Sequence, residues 1–189
     1  MKDELKSRRR VNSAVVRLTP SMKATILAVA FFWLTSSVAA QSWPRFEDYP
    51  ARTYTGPIHR PKWIRHVTGA EWRDDIDKLV IRPEVNFAGQ YFVCVHSCGT
   101  SCRYYTMTDL SSGRELDLLK NFAAGEPPPK TREGYPYITD LETRANSKLV
   151  VAHYLVQTRS GEECRERAFI LKNGKVTPVT GTRRTACPN

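Results

Sequence analysis

Long apolar runs are scarce in this chain of 189 residues, and the scarcity excludes a multi-span membrane protein. The one extended apolar run, Ala24 to Leu34, has 11 residues, whereas a helix needs about 20 to cross a bilayer. Twelve prolines, ten glycines and a mean hydropathy of −0.45 also exclude a long coiled coil. Catalytic signatures are absent too. No Gly-x-Ser-x-Gly, His-Glu-x-x-His, Gly-rich phosphate loop or paired acidic motif occurs, and no cofactor is expected. The acidic pairs Asp74-Asp75 and Glu162-Glu163 are adjacent residues, which face opposite ways on a strand, so they are read as solvated surface.

The apolar run has its own meaning. Lys23 supplies a positive start, Ala24 to Leu34 the apolar stretch, and Thr35 to Ala40 small residues ending Val38-Ala39-Ala40. That order predicts a secretory signal peptide over residues 1–40, cleaved between Ala40 and Gln41, with no stable membrane span afterwards. Translation from Met22 would give the same signal without the basic stretch before it, and Arg8-Arg9-Arg10 offers a twin-arginine alternative. The destinations are the periplasm or the medium. The first 40 residues hold seven of the 29 Lys and Arg and two of the 19 Asp and Glu, so the remaining 149 carry a net +5.

Two regions follow. Residues 41–82 read as an irregular lead-in, Pro- and aromatic-rich from Ser42 to Trp63. Within it, Trp72, Ile76, Leu79 and Val80 stand at helical spacing, so a short helix over Trp72 to Arg82 competes with a strand starting at Leu79. Residues 83–189 read as a β domain of antiparallel meanders. Strands are expected at Tyr91 to Val95, Tyr104 to Thr108, Arg114 to Leu118, Lys148 to Thr158, Cys164 to Leu171 and Lys175 to Val179, with turns at Ser111-Ser112-Gly113, Ser160-Gly161 and Asn173-Gly174. The two halves of this pattern are alike, which suggests two three-stranded, blade-like units stacked by their apolar faces.

Five cysteines in an oxidising destination allow two disulfides and one free thiol. Cys98 and Cys102 flank a tight connection and form the favoured pair. Cys102 with Cys164 is an alternative, and Cys187 has Cys94, Cys164 or a cysteine of another chain as partners. Cys94, His96 and Cys98 alternate along one strand face, so with His153 they make a candidate zinc set, although oxidation would consume the thiolates. Cys98 with His96 as base is the covalent-catalysis alternative, which a local disulfide would abolish. Arg159, Arg165, Arg167, Lys172, Lys175, Arg183 and Arg184 crowd the last third, where a sheet can gather them into a positive face. The export signal turns the expected partner from nucleic acid to an acidic protein or an anionic envelope component.

Asn86-Phe87-Ala88-Gly89-Gln90-Tyr91, then Cys98-Gly99-Thr100-Ser101-Cys102, a strand, Asp109 and a Ser-Ser-Gly-Arg turn resemble the pattern of a group of small exported bacterial proteins. The likeness covers Pro83 to Leu118 well and Asn146 to Val179 loosely. It implies export and a β-rich fold and carries no activity. Gln90 stands where that group has His, so a role for that histidine does not transfer. The reading is a non-catalytic binding or inhibitor-like envelope module, against the alternative of a thiol- or metal-dependent enzyme built around His96 and Cys98.

Overall fold

The computed structural model describes residues 42–99 and 102–187, and the expected signal with its Ala40/Gln41 junction lies outside them. The described chain is mainly β, and every strand pairing is antiparallel. A small sheet holds β1 (Arg65–Thr68), β2 (Glu71–Arg73) and β3 (Leu79–Val80) in chain order. A second is the meander β4 (Tyr91–Gly99), β5 (Cys102–Asp109) and β6 (Arg114–Leu116). The third runs β10 (Lys175–Pro178), β9 (Gly161–Lys172), β8 (Leu149–Thr158) and β7 (Tyr137–Thr143). Along the edge of β9 that carries β10, β11 (Arg183–Thr185) pairs with the other end of the strand, at Cys164 to Glu166.

Turn chemistry fixes the hairpins. Asn173 and Gly174 both have positive φ (51° and 67°), as a two-residue loop of the type that matches strand twist requires. The β5–β6 turn likewise closes on Gly113 at φ 72°. The expected pair of meanders is therefore present, with β7 and β11 added to the second.

Alternation along the strands builds layers. In β8, Val150 and Ala152 face the meander β4–β6, where Phe87, Val93, Met107 and Leu119 complete the main core. Leu149 and Val151 face the other way, beside Ala168 of β9, and are covered by Phe46, with Trp43 and Tyr49 packed against them. The lead-in thus straps the outer face of the large sheet, which is why β8 reads as a nearly continuous apolar run. Strand β4 is also covered on both sides: Val93 faces the large sheet, while Phe92 and Cys94 meet Ile64 and Trp72 of the small-sheet region. Burying a side chain such as Phe92 contributes about 2 kcal/mol.

The helical alternative for Trp72 to Arg82 is not adopted. Asp74 Oδ1 accepts the amides of Ile76 (3.2 Å) and Lys78 (2.8 Å), and Asp77 takes φ 67°. The carboxylate thus closes a side-chain turn that competes with helix and joins β2 to β3. Ile76 and Leu79, apolar at helical spacing, are left 55% and 67% exposed. From Trp43 onward the described chain forms one unit, to which the region before Pro83 contributes both a sheet and core residues. No helix among the described residues is long and apolar enough to cross a membrane.

Candidate functional site

The cysteines and histidines that looked like chemistry go to separate places. Cys98 is bonded to Cys102 (Cα–Cα 5.0 Å) and Cys164 to Cys187 (5.1 Å), leaving Cys94 as the free thiol. Cys102 is therefore not joined to Cys164, nor Cys187 to Cys94. Cys94 is fully buried, and burial pushes its thiol up to about 12, so it is inert at ordinary pH. His153 lies on the strap side of the large sheet, near Glu142 (3.4 Å) and Glu166 (3.7 Å). The meander carrying Cys94 and His96 packs on the opposite face of that sheet, so the four residues of the zinc set are not brought together.

His96 instead belongs to a buried polar chain. Its Nδ1 donates to Asp74 Oδ2 at 3.2 Å, and its Nε2 lies 2.9 Å from the Thr106 hydroxyl. Asp74 and His96 are 1% and 3% exposed. Tyr104 stacks on the imidazole at 4.5 Å and Trp63 meets it edge-on at 4.8 Å. Carboxylate, imidazole and hydroxyl follow the order of a proton relay, but they lie beneath aromatic rings, and neither of the two clefts described below reaches them. The chain links the β2–β3 turn to β4 and β5.

The Asn86-to-Tyr91 motif is equally structural. The Asn86 side chain pairs with both backbone groups of Val93 (2.7 and 2.8 Å), and Ala88 and Gly89 take positive φ. The amides of Ala88 and Gly89 donate to Ser147 and Ala145, and Gly89 returns its carbonyl to Tyr54. A Cβ on Gly89 would stand 2.2 Å from the Arg52 carbonyl oxygen, so only glycine fits. Gln90 donates to Asp109 at 3.0 Å, while Asp109 also accepts the amide and hydroxyl of Ser111. The motif ties the lead-in, the meander and the turn before β8 together.

What remains is a cleft of about 570 Å³ on the large sheet. Its floor is made by Tyr137, Tyr154 and Val156, with Arg165 and Arg167 beside them, on the face that carries Val150 and Ala152 further along β8. The segment from Lys130 to Glu133, closed by the Lys130–Pro136 bridge, forms one bank. Strand β11, with Thr182 before it, forms the other. Tyr137 and Tyr154 meet edge to face at 5.4 Å.

The electrostatics are one-sided. Arg165 Nε lies 2.5 Å from Glu163, and the same carboxylate oxygen lies 3.0 Å from Arg184 Nε. Arg165 also reaches Glu133 at 3.3 Å. Hydrogen bonding to Glu163 first, and to Glu133, keeps the Arg165 guanidinium charged and fixed in place, more than offsetting its partial burial. Lys130, Arg132 and Arg167 have no carboxylate partner among the described residues. Arg183 contributes to the bank, but its guanidinium is turned to the strap side, against Glu166 and 3.6 Å above the Trp43 ring. Five cations against Glu133 and Glu163 leave an excess of three positive charges around an aromatic floor.

Comparison with family models, curated proteins and solved structures returns no match. The chemistry of the cleft has to be read from its own residues.

Of the basic residues singled out in the sequence, Arg165, Arg167, Arg183 and Arg184 line this cleft, whereas Arg159, Lys172 and Lys175 do not. Lys130, Arg132, Tyr137 and Tyr154 were not foreseen. The signal for the bank, a Pro127-Pro128-Pro129 loop followed by Lys-Thr-Arg, marks a turn but not its docking beside β9. A second, smaller cleft of about 300 Å³ lies under the strap and includes His153, Glu142 and Glu166. It carries both signs of charge, with Arg45 and Arg144 in its lining.

Proposed function

We propose that this protein is an exported, disulfide-supported, non-catalytic binding module that docks an anionic envelope component in the basic cleft of the large sheet. The observation that carries the proposal is the cleft itself: three uncompensated positive charges around Tyr137 and Tyr154, on a rigid sheet. Cations gathered around one concavity raise the local concentration of anions there. Two disulfides fit an extracellular or otherwise oxidising compartment. The signal-like segment through Ala40 narrows that compartment to the periplasm or the medium.

The test uses the full disulfide-bonded mature protein and polyphosphate as a probe of pure charge. Binding is expected at low salt. It should weaken at least about tenfold when the ionic strength is raised to about 0.5 M, where the screening length drops to a few ångströms. The double reversal R132E/R167E should weaken it comparably at low salt, because both side chains are free of carboxylate partners. Binding that ignores salt and the double reversal would dismiss the cleft as the docking site.

A further inference from the structure

We infer that the ligand of this cleft is an acidic polysaccharide, a chain of sugar rings carrying repeated anionic groups, laid between the two banks. The inference rests on the anion-binding reading above and adds a body to the charge. Five cations against Glu133 and Glu163 leave an excess of three positive charges around the cleft. The ligand therefore carries several anionic groups, and a cleft of about 570 Å³ accommodates more than one ring.

The floor decides what joins those groups. Arg165 and Arg167 stand two residues apart on β9 and on the same face as Tyr154, with their Cα atoms about 7 Å apart along the strand. Opposite Arg165 in register stands Tyr154, whose neighbour across β7 is Thr139 and whose ring meets Tyr137. Burial pushes the Tyr154 phenol up to about 12, so it stays a neutral hydroxyl that both donates and accepts. Sugar rings present a C–H face suited to the rings and hydroxyls suited to the phenols. Polyphosphate has no apolar face to lay on this floor. Poly-glutamate has one only in its flexible stems, which must be ordered on binding.

The experiment is calorimetric titration of the full mature protein at low salt with three probes of matched charge: an oligouronate, polyphosphate and poly-glutamate. The oligouronate is expected to bind tightest. Tyr137→Leu should lower its affinity about tenfold while changing that of polyphosphate by no more than about twofold, and Tyr137→Phe, which keeps the ring, should retain most of it. Arg132→Glu should lower all three. Equal affinities for the three probes, or the tightest binding by poly-glutamate, would overturn the polysaccharide assignment and leave an anion site. Failure of all three to bind would overturn the anion-binding reading with it.

Discussion

Asp74 holds the small sheet in place. Burial by itself would push its carboxyl up, but hydrogen bonds from the Lys78 amide, His96 and the Ile76 amide outweigh burial and hold it below the ordinary carboxylate value. A carboxyl lowered on folding stabilises the fold at every pH above its unfolded value of about 3.9, and that contribution is lost as pH falls through the folded value. Asp74→Asn keeps the shape, removes the charge and sets an amide against the imidazole N–H. Urea unfolding should show the variant less stable by about 2 kcal/mol at pH 7, with the gap closing as both proteins are taken below about pH 3. A gap that does not change with pH would mean the carboxylate charge is not what holds the turn. Cys94 supplies a second check at this scale. With its thiol at about 12, it should resist alkylation in the native protein at pH 8. In denaturant without reductant it should yield one equivalent of thiol, the other four cysteines being bonded. His96 stood out in the sequence because histidine between cysteines suggests chemistry. Its partner Asp74, 22 residues away, did not, because nothing local announces a contact made by packing two sheets.

Among the elements, β11 is the one whose removal separates fold from function. It has three residues, an edge position on β9, and the cross-link Cys164–Cys187 just beyond it. So short an edge strand is weak alone, and the disulfide closes a loop with a sequence separation of 23, worth about 3 kcal/mol on the chain-entropy model. The double substitution C164S/C187S should lower stability by about that amount. It should also abolish anion binding at temperatures where the rest of the sheet persists, as read by circular dichroism beside the titration. For C98S/C102S the loop is far shorter, with a separation of 4; stability should fall by about 2 kcal/mol and binding should stay intact, since the cleft lies elsewhere. Retained binding in C164S/C187S would show that β11 is not a needed bank. The hairpins around Gly113 and Gly174 were legible because their turn residues act locally. Neither β7 nor β11 was. The core-facing side of β7 includes Thr139, 1% exposed and polar, and β11 is Arg-Arg-Thr, so neither shows the apolar alternation that marks a strand. Trp72 to Arg82 misled in the other direction, since its helical spacing of apolar residues was not a burial pattern.

At the scale of the whole described unit, four successive layers are arranged around two covered strands: strap, large sheet, meander and small sheet. The layers bury apolar surface on both faces of β8 and β4 and leave one end of the large sheet open, where the positive charge collects. The net charge of residues 41–189 was readable by counting, and the crowding of arginines in the last third pointed to the right sheet. Which cations meet was not readable, because Lys130 and Arg132 reach the site through the fold rather than through sequence neighbourhood. The most direct test is amide chemical-shift mapping of the isotope-labelled, disulfide-bonded protein titrated with an oligouronate at low salt. The account predicts saturable shifts concentrated at Arg132, Tyr137, Tyr154, Arg165 and Arg184, and reversed by added salt. Shifts scattered over the whole basic surface, or gathered on β1–β3, would contradict it.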